Sequence, residues 1–108
     1  DGTVRAFVSL GGNFARAISD NARVEGAWAR LDLTVQVATK LNRSHLLPGK
    51  AAWLLPCLVR SEEDRQATGP QAVSMEDSLS MIHGSVGRRR PASPHLRSEA
   101  AIVAGIAK

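Results

Sequence analysis

The feature that most constrains the fold is a β-rich run, residues 3–10 (TVRAFVSL), that stops abruptly at Gly11-Gly12-Asn13. Glycine tolerates the positive φ that a sharp strand exit needs, so the run reads as a strand over Val4–Leu10 closed by a turn. Ser19-Asp20-Asn21 then offers short polar side chains able to cap a helix. Val24, Ala27, Trp28 and Leu31 follow at i, i+3, i+4 and i+7, which is one helix face. Gly26 weakens that helix by about 1 kcal/mol relative to alanine. Leu33, Val35 and Val37 alternate, predicting a second strand over Leu33–Thr39. Lys40–His45 reads as a short helical turn or ordered loop, and Pro48-Gly49 as a turn. Ala51–Leu58 (AAWLLPCL) is an unbroken apolar run, the expectation being a strand buried on both faces. Strand, helix, strand, connection, strand is the pattern of a parallel α/β sheet around a single core.

Ligands of such sheets bind beyond the carboxyl ends of the strands. Gly11-Gly12-Asn13, Thr39–His45 and Cys57–Glu62 all follow strands, so they are expected to gather along one edge. The glycine turn could let backbone N–H groups approach a phosphate. It is neither GxGxxG nor a P-loop, and a plain turn fits the residues as well. Lys40, Arg43 and His45, with Asn42 and Ser44 between them, bring donors suited to phosphates or a purine edge, and a solvated connection is the alternative. Cys57 closes an apolar run and is expected to pack in the core. Ser44, His45 and Asp64 have the residue types of a hydrolase triad, but no GxSxG elbow accompanies them.

Beyond Cys57 the pattern loosens. Residues 61–71 (SEEDRQATGPQ) read as a charged loop, Ala72–Met75 and Leu79–His83 as short strands, and Arg88-Arg89-Arg90-Pro91 as a basic linker. Ser98 caps an expected closing helix with Ile102, Val103 and Ile106 on one face and Glu99 near its positive end.

Composition narrows the function classes. The 108 residues are 44% hydrophobic and 22% charged, the balance of a globular domain rather than a disordered tail. No apolar run approaches the roughly 20 residues of a membrane-spanning helix, and no signal peptide is recognisable, so the expectation is a soluble, cytoplasmic chain. One cysteine excludes an internal disulfide, and with three scattered histidines it provides no structural zinc spacing. A net charge of +4 favours anionic partners. Aromatics at 4%, with no tyrosine, argue against a base-stacking surface for nucleic acid. The chain starts inside an apolar run and stops inside a helical pattern, which leads us to expect a piece of a longer polypeptide.

Taken in order, GGNF, then LDLTVQVATKLNRSHL, then LLPCLVRSEEDRQATGPQAVSMEDSLSMIHGS and SPHLRSEAAIVAGIAK resemble the formate-dehydrogenase-like family of molybdopterin oxidoreductase alpha subunits. The resemblance covers nearly the whole chain, and TKLNRSH with LPC, an acidic loop, GPQ and EDS is its specific part. It implies an internal Rossmann-like domain of a large enzyme that carries a bis(molybdopterin guanine dinucleotide) molybdenum cofactor. The partners implied are the rest of the oxidoreductase chain and one guanine dinucleotide arm. Residue by residue it assigns to cofactor binding Gly11, Gly12 and Asn13, then Thr39, Lys40, Asn42, Arg43, Ser44 and His45, and finally Ser61 and Glu62. There are departures: Val59 stands where the family has glycine, Arg88-Arg89-Arg90 is unusually basic, and neither an iron–sulfur cysteine motif nor the metal-proximal segment is present. The chain therefore carries half a cleft and no catalytic residue of its own. The alternative is a stand-alone nucleotide- or RNA-binding module without catalysis.

Overall fold

The protein is described by a computed structural model over residues 2–108. The chain divides into two compact units, Asp1–Pro56 and Cys57–Lys108.

The first unit contains β1 (Ala6–Leu10), α1 (Phe14–Ala17), α2 (Asn21–Trp28), β2 (Leu33–Ala38), a 3-10 turn at Arg43–Leu46 and β3 (Ala51–Pro56). The strands are parallel in the order β1-β2-β3, so the α/β reading of the sequence holds for this unit. Asp20 caps α2 by accepting the Arg23 N–H at 3.4 Å. The helices are held to the sheet by Phe7, Phe14 and Trp28, whose ring centroids lie 4.6, 4.8 and 5.5 Å apart in tilted pairs. The most buried strand is β2, with Thr34, Gln36, Val37 and Ala38 inside.

The expectation for β3 is corrected. It is an edge strand, and Trp53 and Leu54 are exposed rather than doubly buried. An apolar run announces that a strand wants burial, but it does not say what lies on either side of it.

The second unit is built from hairpins. A minimal antiparallel pair, β4 (Arg65–Gln66) and β5 (Gly69–Pro70), interrupts the stretch expected to be a charged loop. β6 (Ala72–Glu76) pairs antiparallel with β7 (Ile82–Val86), and α3 (Glu99–Ile106) is capped by Ser98, whose hydroxyl accepts the Ala101 N–H at 3.3 Å. β7 starts later than the expected Leu79. The Asp77 carboxylate accepts the N–H groups of Leu79 at 2.8 Å and Met81 at 3.1 Å, drawing those residues into the turn. Arg88–Arg90 is no free linker either: the Arg88 and Arg89 N–H groups both donate to the Ser61 carbonyl, at 3.0 and 2.9 Å. Cys57 is buried as expected, and that burial, with Glu99 and Glu62 adding negative charge, pushes its thiol pKa up. Among the described residues no helix is long and apolar enough to cross a membrane.

Candidate functional site

Parallel register aligns Leu10 with Val37 and Val37 with Leu55, so β1 and β2 release their following loops at one edge of the sheet. After β1 the chain turns through Gly11 at φ 60° and Gly12 at φ 71°, backbone that side-chain-bearing residues rarely adopt. The Gly11 N–H donates to the Val37 carbonyl at 2.7 Å, fastening the turn to β2. A Cβ placed on Gly12 meets nothing within 4 Å, so that turn faces open space. A shallow hollow of about 320 Å³ adjoins it, lined by Leu10, Gly12, Asn13, Phe14 and Ala17 among others.

The loop after β2 is tied to this turn by side chains. The Asn42 amide donates to the Gly12 carbonyl at 2.7 Å, while its oxygen accepts the Ser44 N–H at 2.9 Å. Ser44 is buried; its hydroxyl accepts the Ala15 N–H at 3.0 Å and donates to the Asn13 side-chain oxygen at 3.2 Å. Gln36 reaches out of β2 to donate to the Ser44 carbonyl at 3.1 Å. His45 Nδ1 accepts the Asn42 N–H at 2.8 Å, which leaves a neutral ring its proton on Nε2. The structure thus brings Gly11, Gly12, Asn13, Asn42, Ser44 and His45 together. Most of their polar groups serve to hold the two loops in place.

Arg43 stands apart from the others. Its Nε and a terminal nitrogen donate to the two Glu25 oxygens at 3.3 and 3.2 Å, and Arg16 pairs with the same carboxylate at 3.2 Å. The Arg43 bonds first, then its charge and that of Arg16, hold Glu25 below the usual carboxylate range. An anion seeking Arg43 must compete with that carboxylate. Thr39 and Lys40 are exposed, and among the described residues Lys40 forms no ion pair.

Ser61 and Glu62 belong to the second unit and serve its backbone. The Glu62 carboxylate accepts the N–H groups of Val59 and Ala92, each at 2.9 Å, and the Ser61 carbonyl receives Arg88 and Arg89. Sequence reasoning missed Gln36 and Glu25. Alternation puts Gln36 on the face opposite Leu33, Val35 and Val37, which reads as the outward one although Gln36 is buried, and nothing local to Glu25 points to Arg43.

Larger hollows lie elsewhere. One of about 470 Å³ sits by the amino ends of β1 and β2, lined by Phe7, Phe14, Trp28 and Leu31 with Arg5 and Lys50. Another, of about 690 Å³, lies in the second unit against Leu58, Arg65 and Leu96. Size alone does not choose a site. Among the described residues no three or more His, Cys, Asp or Glu side chains are grouped to hold a metal ion.

No protein-family model matches the chain, and no solved structure matches it. Curated proteins do. Protein YdeP of Escherichia coli strain K12 is 53% identical over 107 residues, and Protein YdeP of Shigella flexneri is equally so. An uncharacterized oxidoreductase of Mycobacterium tuberculosis, Rv2900c, is 49% identical over 108 residues. These alignments cover 99% to 100% of this chain but only 14% of each relative. The chain therefore spans about one-seventh of the length of the curated relatives it matches, and the mycobacterial names point to an oxidoreductase-related family.

Proposed function

We propose that this chain is a Rossmann-like segment of a molybdopterin-dependent, formate-dehydrogenase-like oxidoreductase. In this reading it holds one guanine dinucleotide arm of a bis(molybdopterin guanine dinucleotide) molybdenum cofactor at the carboxyl edge of β1 and β2. The observation that carries the reading is the bonded convergence of the left-handed glycine turn and the Asn42–His45 loop at that edge.

The residues fit such a group. The Gly12 and Asn13 N–H groups donate to nothing within reach among the described residues, and the space beyond Gly12 is open. Backbone donors in a glycine turn suit a pyrophosphate. Lys40 adds an exposed ammonium, and His45 in its neutral form carries an Nε2–H donor for a carbonyl or phosphate oxygen. When bound, the cofactor supplies the electron-transfer chemistry at molybdenum. This chain's residues orient and retain one arm. Ser44, Asn42 and Gln36 keep the donors in position rather than touching the ligand.

The test uses the full-length parent protein. Molybdenum is counted by mass spectrometry and guanine nucleotide by chromatography after denaturation, in wild type, Gly12→Val and Lys40→Ala. Wild type is expected to carry both, Gly12→Val to lose most of each, and Lys40→Ala to retain less than wild type. Tryptophan emission verifies that the variants fold. A parent purified from a molybdenum-replete host with neither component overturns the reading. Binding of GDP or RNA by that molybdenum-free protein favours the nucleotide- or RNA-binding module instead.

A further inference from the structure

Four basic side chains of the first unit are answered by two carboxylates: Arg5 and Lys50 share Asp32, and Arg16 and Arg43 share Glu25. In the second unit three consecutive arginines, Arg88, Arg89 and Arg90, are exposed, and among the described residues none of them forms an ion pair. Carboxylates are not lacking beside them, since Glu62 and Arg89 form a short parallel bridge. Each nearby carboxylate is engaged elsewhere. Glu62 accepts the Val59 and Ala92 N–H groups, Glu63 pairs with Arg65, and Asp64 accepts the Gln66 amide at 3.0 Å.

The backbone that carries the arginines is fixed. The Arg88 and Arg89 N–H groups converge on the Ser61 carbonyl at 3.0 and 2.9 Å, and the Glu63 N–H donates to the Arg89 carbonyl at 2.8 Å. Two residues facing one carbonyl make a bulge, which re-aims side chains and breaks the alternation that sends neighbours to opposite faces. With Cα atoms about 3.8 Å apart, the three guanidinium groups spring from about 8 Å of backbone. That is less than the screening length of about 10 Å at 0.1 M salt. Their mutual repulsion is therefore only partly screened, and an anion laid across them relieves it.

We propose that Arg88–Arg90 is a docking surface for an acidic segment of a second protein. Charge complementarity identifies the occupant, because a guanidinium grips a carboxylate through two parallel N–H bonds. A backbone already ordered loses little freedom on binding. The surface does not suit an enclosed small anion. A hollow of about 280 Å³ reaches Gly87 and the one of about 690 Å³ reaches Pro91, but neither is lined by the three arginines. Nor does it suit nucleic acid, since residues 57–108 contain no phenylalanine, tryptophan or tyrosine on which bases could stack. The proposal goes beyond the cofactor reading and needs no cofactor to be bound.

The experiment titrates the full-length parent against a fluorescein-labelled peptide of alternating glutamate and serine, read by anisotropy. Wild type is expected to bind it and to lose most of that affinity as salt rises from about 50 to about 300 mM. Arg88→Ser/Arg89→Ser/Arg90→Ser is expected to weaken binding about tenfold or more. Arg23→Ser/Arg30→Ser, which removes two exposed arginines of the first unit, is expected to change it less than about twofold. Cys57 labelling at the wild-type rate verifies that the triple variant folds. A second measurement needs no variant: p-hydroxyphenylglyoxal is expected to modify Arg88–Arg90 of the native parent nearly as fast as in urea. Protection of these arginines in the native parent overturns the proposal, because something else then covers them. So does the absence of peptide binding by wild type, or an equal loss in the two variants. A single-stranded RNA of matched charge that binds as tightly as the peptide, and is lost with the same arginines, overturns it in favour of nucleic acid.

Discussion

The two units reach order by different means. In the first, aromatic rings and a buried central strand supply a core, with Ala15, Trp28, Leu31, Val37 and Ala38 inside. The second has no phenylalanine or tryptophan, and Cys57 is its one buried apolar side chain among the described residues. Its hairpins β4–β5 and β6–β7 expose most of their side chains. What ties it together is polar: the Glu62 carboxylate on two backbone N–H groups, the Ser61 carbonyl on two more, and Leu58 donating to the Arg97 carbonyl at 3.0 Å. A core of packed side chains degrades in increments. A lattice of backbone hydrogen bonds depends on chain segments approaching at one fixed distance. The sequence supplies a reporter for each unit, since both tryptophans lie in the first and the lone cysteine in the second.

The largest effect is expected at Gly87. A Cβ there falls 1.8 Å from the Glu62 carbonyl oxygen and 2.9 Å from the Glu62 nitrogen, so backbone must give way. Gly87→Ala is expected to destabilise the second unit by about 3 kcal/mol or more. Native-state labelling of Cys57 by a thiol reagent checks it, with an expected acceleration of about two decades. Unchanged labelling shows that the close approach is not what holds this unit.

Next comes the carboxylate that the same approach positions. Glu62→Ala leaves the Val59 and Ala92 N–H groups without their acceptor. Hydrogen bonds to charged groups contribute about 1.5–3 kcal/mol each, and partial exposure returns some of that to water, so about 2 kcal/mol is expected. Its counterpart in the first unit is Ser44→Ala. That change removes the acceptor of the buried Ala15 N–H at a cost of about 1–2 kcal/mol, read in a urea titration of tryptophan emission. If Ser44→Ala proves costlier than Glu62→Ala, the contrast between a packed unit and a polar one is reversed.

Those contrasts also mark what the sequence disclosed. β1, β2 and α2 were legible because periodicity and an Asp20 cap are local signals, and the glycine turn announced its own backbone. The edge position of β3 was not, because which strand ends a sheet is a property of topology. The start of β7 is not legible either, because the apolar Leu79 and Met81 resemble strand, whereas Asp77 bonds them into a turn with Ser80 at φ 60°. At the site, strand ends predicted which loops meet. They did not predict that Asn42 and Ser44 spend their bonds on the other loop, or that Arg43 has Glu25.

Acid is expected to act weakly on both units in the same direction. Lys50 and Arg5 hold Asp32 below its ordinary range, chiefly through hydrogen bonds, and His83 does so for Asp77 with help from the Leu79 and Met81 N–H groups. A carboxyl whose folded pKa is depressed contributes stability that is fully present above its unfolded value. That contribution is lost as pH falls through the lower folded value. Stability is therefore expected to be flat with respect to these groups near neutrality and to decline below about pH 4. Asp32→Asn should flatten the acid limb seen by tryptophan emission, and Asp77→Asn the one seen by Cys57 labelling. Screening by salt shrinks both, because both carboxylates are solvent-accessible.

The smallest effect is expected at Arg43, where sequence and structure lead in opposite directions. As an isolated five-donor side chain in a strand-end loop, Arg43 looks like the principal grip on a phosphate, and its loss should then weaken GDP binding by one to two decades. In the folded protein its guanidinium is already spent on Glu25, in a pair that leaves the Arg43 side chain 41% exposed and the Glu25 side chain 25% exposed. Surface pairs of this kind contribute about 0–1 kcal/mol, so Arg43→Ala should barely move the unfolding midpoint. It should also change GDP affinity less than about threefold, since a guanidinium neutralised by a carboxylate offers an anion little net attraction. Glu25→Gln separates the two accounts. Removing that charge releases both Arg43 and Arg16 from their shared partner and raises the positive potential beside the glycine turn, so GDP should bind more tightly and more steeply with falling salt. Should Arg43→Ala instead cost tenfold or more in affinity while the fold is unchanged, the guanidinium must leave Glu25 to reach the ligand. The ion pair is then a resting position of the site rather than a part of the scaffold.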